Sequence, residues 1–336
     1  MPGLFFLVFC LNPAWQSLAA IDIPFFAGFY SDNHVSYYPD RDIREFDWDE
    51  KYRLCFGVDS LRWNNMEFNL KLNSQANFIH QQVLIDSLAL SWVNGPYTLS
   101  GITRPYGIAY GYFFQQLYVS DPSHNSFLYD QTRFKGLEYG WQPSDMGFQA
   151  GLGGNVHNQA MGYVAVSGKN KDLIWMIRLD GKARDTHWTT ANITPSVSCS
   201  YDADIISLHT DTAFKQVFAH EDRQSHQEFF HISETRLNMK NFPGIVICLD
   251  FSRREHAPRR RLGLKAALDL KISGFAIIPA YHYINVDDND IHQLDCLASW
   301  NPRPQISFGV YTSYEYPQED QSRITLGLQS SLRFDF

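Results

Sequence analysis

The stretch Gln321-Ser322-Arg323-Ile324-Thr325-Leu326-Gly327-Leu328-Gln329-Ser330-Ser331-Leu332-Arg333-Phe334-Asp335-Phe336 decides the fold. In steps of two, Ile324, Leu326, Leu328, Leu332, Phe334 and Phe336 point one way. Thr325, Gly327, Gln329, Ser331, Arg333 and Asp335 point the other. A period of two describes a strand with one apolar and one polar face. Left as a free edge, such a strand would template pairing with other chains; closing a barrel removes the edge. The pattern recurs upstream. Leu262, Leu264, Ala266, Leu268, Leu270 and Ile272 oppose Gly263, Lys265, Ala267, Asp269 and Lys271. Leu173, Trp175, Ile177 and Leu179 oppose Arg178 and Asp180, and Ile306, Phe308, Val310 and Tyr314 oppose Ser307, Gly309, Ser313 and Glu315.

From Phe25 onward the chain divides into alternating segments of ~9 to 14 residues, the length that crosses a bilayer at a tilt. Eighteen such segments fit best, with sixteen as the lower count. One alternate set of connections is tight: Trp63-Asn64, Asn94-Gly95-Pro96, Gln142 to Asp145, Gly168-Lys169-Asn170, Asp202-Ala203, Asn241, Ser273-Gly274 and Asn301-Pro302-Arg303. Asn, Gly, Asp and Pro are the residues that close hairpins. The other set is longer and polar, as at 181–187, 216–225 and 254–259. Short turns on one rim and long loops on the other is a barrel asymmetry. A β-sandwich has the same period, but this many strands would need two sandwiches and a linker, and no linker is visible. In a barrel the polar-face charges Arg178, Lys265, Asp269, Lys271 and Arg333 line a wet lumen; on an open sheet they would merely meet solvent.

Met1 to Ala20 carries no charged residue, has an apolar core from Leu4 to Leu11 and ends in Ser17-Leu18-Ala19-Ala20, a small-x-small site. Residues 1–20 therefore read as a cleaved secretory signal peptide, with 21–336 as the barrel. The basic residue usual before the apolar core is missing, which fits a true start upstream, and Phe9 before Cys10 does not fit lipoprotein cleavage. No later apolar run approaches ~20 residues, so no membrane-spanning helix is expected. With 25 Phe, 18 Tyr and 8 Trp but only 19% charged residues, the composition suits a lipid-facing surface with interfacial aromatic belts. A net charge of -8 argues against nucleic acid as a partner. Cys55, Cys199, Cys248 and Cys296 lie singly on separate segments without C-x-x-C spacing, so zinc is not expected.

The C-terminal strand resembles that of bacterial outer-membrane β-barrel proteins, where a terminal aromatic with apolar residues at alternate upstream positions is the assembly signal. That resemblance implies the outer membrane of a Gram-negative bacterium, a periplasmic C-terminus and contact with the barrel-assembly machinery. Outer-membrane lipid and lipopolysaccharide would surround the barrel.

The connection from Arg104 to Gln131 is the longest, and it holds Tyr106, Tyr110, Tyr112, Phe113, Phe114, Tyr118, Phe127 and Tyr129. Aromatics are costly to leave in water, so this loop is expected to fold against the lumen. General and substrate-selective porins place their constriction loop between strands five and six, where 104–131 falls. The run from Tyr97 to Gly107 looks like the strand-then-loop passage of the phosphate-selective porins, although their lysine-rich ladder is not evident and phosphate selectivity is not implied. The resemblance covers only this passage and the last strand. It implies a constriction of Arg104, Tyr106, Tyr110, Tyr112, Phe113 and Tyr118, and a homotrimer for which the sequence offers no separate sign. Aromatic faces stack on sugar rings, so sugars are among the small hydrophilic solutes expected. An external lid packed on its own aromatics is the other reading of the loop.

Arg253, Arg254, Arg259, Arg260 and Arg261 bracket one long loop and suit lipopolysaccharide phosphates, or plain solvation. His220, Glu221, Asp222, His226 and His231 lack the spacing of a catalytic zinc helix. The acidic run Asp287-Asp288-Asn289-Asp290 could take calcium but lacks the EF-hand pattern. Neither a metal nor a cofactor is expected. There is no G-x-S-x-G, P-loop or Rossmann fingerprint, and the motifs of outer-membrane phospholipases and proteases are missing, so no enzyme is expected. The expectation is an all-β transmembrane antiparallel barrel of sixteen to eighteen strands that passes small solutes by diffusion. Two other classes fit the same strands: a non-conducting outer-membrane barrel with a structural or secretion-associated role, and a secreted soluble β-protein that binds glycans.

Overall fold

The computed structural model describes residues 25–40, 46–77, 81–107, 129–154, 159–183, 190–219, 225–238, 243–255, 260–272, 274–303, 305–317 and 322–335. The first six strands are β1 (Phe25–Tyr37), β2 (Phe46–Trp63), β3 (Met66–Asn77), β4 (Gln81–Asn94), β5 (Tyr97–Gly107) and β6 (Tyr129–Trp141). Then come β7 (Met146–Gly154), β8 (Ala160–Asn170), β9 (Leu173–Lys182), β10 (Thr190–Asp202), β11 (Ile206–Ala219) and β12 (His226–Leu237). The last six are β13 (Gly244–Arg254), β14 (Arg260–Ile272), β15 (Phe275–Val286), β16 (Asn289–Arg303), β17 (Ile306–Pro317) and β18 (Arg323–Asp335).

Each strand pairs antiparallel with its neighbour in sequence, and β18 pairs with β1 to close an 18-stranded barrel. At the seam Phe26 lies opposite Asp335 and Tyr37 opposite Ile324. Hydroxyl pairs tie this seam, Ser31 to Ser330 at 2.8 Å and Ser36 to Thr325 at 3.0 Å. Strands ~4.8 Å apart and tilted by ~40° close a cylinder roughly 35 Å across at this strand number. Inner side chains alone do not fill that width, unlike in an eight-stranded barrel.

The expected eighteen strands are all present, with shifted ends. β2, at Phe46–Trp63, is longer than the expected segments, and β5 and β6 continue into the expected loop, to Gly107 and from Tyr129. The connection is therefore 108–128 rather than 104–131; it and residues 1–20, expected to be a signal peptide, lie outside the described residues. The tight turns 64–65, 95–96, 142–145, 171–172 and 203–205 share one rim. Two connections depart from expectation. The turn expected at Asn241 spans 238–243, whereas the acidic run on the opposite rim is a two-residue hairpin. Asp287 and Asp288 both take positive φ, 52° and 69°, the paired conformation that matches strand twist. Their surroundings use these carboxylates internally. Asp287 Oδ1 accepts from the Arg260 amide at 2.7 Å, and Asp290 Oδ1 accepts from Tyr283 Oη at 2.7 Å and Asn285 Nδ2 at 2.8 Å.

Alternation sets the two surfaces. Outward residues stay exposed although apolar, Leu152 at 74% and Trp63 at 71% among them. Aromatics gather at both ends of this outer face. Phe275, Trp300 and Phe308 stack across β15, β16 and β17 beside the tight turns, with ring centroids 5.8 and 5.9 Å apart. Phe46, Trp48, Phe218 and Tyr316 lie exposed toward the other rim. Two aromatic belts enclosing an apolar band is the surface a bilayer requires.

Candidate functional site on the inner wall

The inward alternates carry the polar chemistry. On β9, Arg178 and Asp180 are two residues apart, so both side chains leave the same face, and they are 5% and 3% exposed. Arg178 Nε lies 3.0 and 2.9 Å from the two Asp180 carboxylate oxygens, and Nη2 lies 2.6 Å from Oδ1. The guanidinium also sits over the Tyr163 ring on β8, 4.0 Å from its centroid. Tyr163 donates its hydroxyl to Glu138 on β6 and meets the Phe134 ring edge-on at 6.0 Å. The ring reaches across β7 because residue 151 is glycine: a methyl group there would overlap it. The result is a preorganised carboxylate–phenol–guanidinium–carboxylate array against the wall.

β10 contributes small hydrogen-bonding side chains to the same surface, Asn192, Thr194, Ser196, Ser198 and Ser200. Further round, charges are mostly paired. Glu228 holds Lys215 at 3.1 Å and His226 at 3.0 Å. Lys265 Nζ lies 3.5 Å from Asp295, to which Gln293 Nε2 donates at 2.8 Å. Arg323 Nη2 lies 2.6 Å from Glu315. Strand register aligns Ser200, His209, Glu234, Cys248, Lys265, His282, Gln293, Glu315 and Arg323 on successive strands from β10 to β18. Because strands tilt by ~40°, a row running across them climbs the wall as a slanting track, polar except at the buried Cys248.

Of the charges singled out from sequence, Arg178 is in the β6–β9 array and Lys265 is in the track, 8% exposed. Asp269 is 9% exposed and pairs with Lys271 at 2.8 Å. Lys271 itself stands at the tight-turn end of β14 with its side chain 68% exposed. Arg333 is exposed on β18, its guanidinium 5.6 Å from the Phe26 ring centroid. These five do not form one cluster. The backbone of Arg104 and Tyr106 belongs to β5, opposite Phe134 and Asp130. Their side chains, and Tyr110, Tyr112, Phe113 and Tyr118 entirely, lie outside the described residues.

Glu138, Tyr163, Glu228, Glu234 and His282 were not singled out. Their inward parity was readable, but their strands alternate less cleanly. The inner wall is also less uniformly polar than the pattern suggests. Ile232, Val246, Cys248, Ala267 and Ala280 form a buried apolar patch across β12 to β15. Among the described residues no group of three His, Cys, Asp or Glu is placed to hold a metal ion.

No family model matches the chain, and no curated protein matches it. Solved structures do. The chain superposes on OpdQ of Pseudomonas aeruginosa with a TM-score of 0.61 at 9% identity, covering 94% of this chain and 98% of that one. OccK3 (OpdO) of the same organism gives 0.60 at 9%, over 97% and 100%. OccK2 (OpdF), solved in complex with glucuronate, gives 0.58 at 9%, over 93% and 98%. These neighbours are substrate-specific outer-membrane porins. This chain has their barrel fold.

Proposed function

We propose that this chain is an outer-membrane porin of a Gram-negative bacterium, passing small hydrophilic solutes by diffusion through a water-filled lumen. The observation that carries this reading is the closed 18-stranded barrel with an apolar, aromatic-belted exterior and a charged inner wall. Such a protein does no covalent chemistry. Width, charge and hydrogen-bonding groups along the path select what passes. Arg178, Lys265, Asp269, Lys271 and Arg333 line that path, and the 104–131 region narrows it with Arg104, Tyr106, Tyr110, Tyr112, Phe113 and Tyr118. Paired donors and acceptors on the wall exchange hydrogen bonds with hydroxyl-rich solutes, so sugars and sugar acids are the class that suits it. Glucuronate, bound by one structural neighbour, is the first solute to try. The C-terminal strand faces the periplasm and engages the barrel-assembly machinery; Arg253 and Arg260, beside the long loops, meet lipopolysaccharide phosphates.

The test is to refold the mature chain in detergent and record currents across a planar bilayer. Stepwise currents of fixed size, reduced by glucuronate or oligosaccharides, are expected. A folded, heat-modifiable barrel that conducts nothing would overturn the reading.

A further inference from the structure

Two carboxylates on the inner wall of β11 and β12 each keep one oxygen without a donor. Asp211 is 5% exposed and Glu234 is 4% exposed. Ser198 donates its hydroxyl to Asp211, yet Asp211 Oδ2 and Glu234 Oε2 have no hydrogen-bond partner among the described residues. An enclosed carboxylate oxygen left in that state is costly. The two are diagonal neighbours. Asp211 lies opposite Ile232, and Glu234 stands two residues further along the same face of β12, positions about 7–8 Å apart. β10 flanks them with hydroxyls, Ser198 opposite Asp211 and Ser200 opposite His209, with Ser200 Oγ and His209 Nδ1 2.9 Å apart. On the other side Ile232 and Cys248 are buried and apolar, and Asp250 lies opposite Ile232 with its carboxylate laid over Gly263.

On the reading of this barrel as a pore, we propose that the patch binds a solute both hydroxylated and cationic, an amino sugar, as it passes along the wall. A primary ammonium carries three N–H donors and no acceptor, the groups that Asp211 Oδ2 and Glu234 Oε2 lack. Hydrogen bonds in which both partners are charged are the strong ones. Ring hydroxyls exchange hydrogen bonds with Ser198 and Ser200, while the C–H face of the ring lies against Ile232. A metal ion does not suit the patch, because among the described residues no group of three His, Cys, Asp or Glu is placed to hold one. A sugar acid does not suit it either, since its carboxylate would face Asp211, Glu234 and Asp250; glucuronate is left to other parts of the wall. Arg236 lies 3.6 Å from Glu234 Oε1 with 32% of its side chain exposed. Exposed side chains change rotamer within nanoseconds, so it can swing aside to admit an ammonium.

The experiment compares glucosamine, glucose and glucuronate, which share one ring and differ in charge, as blockers of single-channel current through the mature chain at neutral pH. Glucosamine is expected to block wild type at a concentration about tenfold below glucose, the low end for gaining charged hydrogen-bond partners. A double variant, Asp211→Asn with Glu234→Gln, should weaken glucosamine block by about the same factor and leave glucose and glucuronate block as they were. Glu67→Gln on β3, which removes a charge elsewhere, should leave glucosamine block unchanged. Choline, a cation without N–H donors, should block no better than glucose. Glucosamine no better than glucose or choline, or a double variant that keeps the wild-type glucosamine block, would each overturn the proposal and leave both carboxylates to bound water. Where the double variant fails to fold, the order of the probes on wild type decides. A folded barrel that conducts nothing sinks the pore reading by itself. Calorimetric titration of that barrel in detergent with the same probes then decides on the patch, and no preference for glucosamine overturns it.

Discussion

Arg178 holds three neighbours together: it is forked onto Asp180, stacked on Tyr163 and, through that ring, joined to Glu138. Arg178→Ala would leave Asp180 against the wall without its cation. A fully enclosed pair broken this way loses ~3–5 kcal/mol; beside a wet lumen the expected loss is about 1–3 kcal/mol. The urea midpoint should fall accordingly, and the reversal potential in a salt gradient should move toward cations. An unchanged midpoint together with unchanged selectivity would remove Arg178 from both roles. The charge was legible in the sequence, as the polar alternate to Ile177 and Leu179. Its stacking on Tyr163 was not, because that depends on Gly151 of a third strand leaving room for the ring.

Each strand presents two different solvents, so one substitution should have opposite consequences on its two faces. Leu268→Arg, outward on β14, puts a charge into the lipid band and should cost about 2–4 kcal/mol if it lies near the midplane. Ser299→Arg, inward on β16, should be tolerated. Equal losses measured by denaturant titration in detergent and in lipid would contradict the assigned faces. Connections hold elements together as well. The Ser322 hydroxyl and amide donate to Asp40, the amide at 3.0 Å, joining the β1–β2 connection to the residue before β18. These hydrogen bonds, led by the one from the Ser322 side chain, hold the Asp40 carboxyl below its usual range. A depressed carboxylate contributes stability above its unfolded value and loses it as pH falls through the folded one. The Ser322 amide resonance should therefore shift with acid at a midpoint below the ordinary ~3.9 of aspartate, and Asp40→Asn should abolish the shift. A midpoint at or above that value would sink the assignment. The turn residues of tight connections were readable because turn chemistry is local. The two-residue hairpin at Asp287–Asp288 is not legible in the acidic run itself, since its positive φ angles come with the pairing of β15 with β16.

At the scale of the molecule, closure matters most, because it turns a sheet into a wall around a path. If the 104–131 region narrows that path, deleting Tyr106 to Tyr118 should raise single-channel conductance several-fold, with selectivity for sugars falling. Conductance that stays the same would take this region out of the pore.

The chain by itself determined the two faces of each strand and most of the rim of short turns, and narrowed the strand number to sixteen to eighteen. Side-chain alternation and turn preference act over a few residues and leave their mark in any window of sequence. Only the tertiary structure decided which residues from different strands stand side by side. Arg178 meets Tyr163, and the track from Ser200 to Arg323 lines up, because register and closure set cross-strand neighbours across long separations. The same holds for the apolar patch of Ile232, Val246 and Ala280 on the inner wall. A one-residue slip in any pairing would dissolve these groupings and leave each strand's own alternation intact.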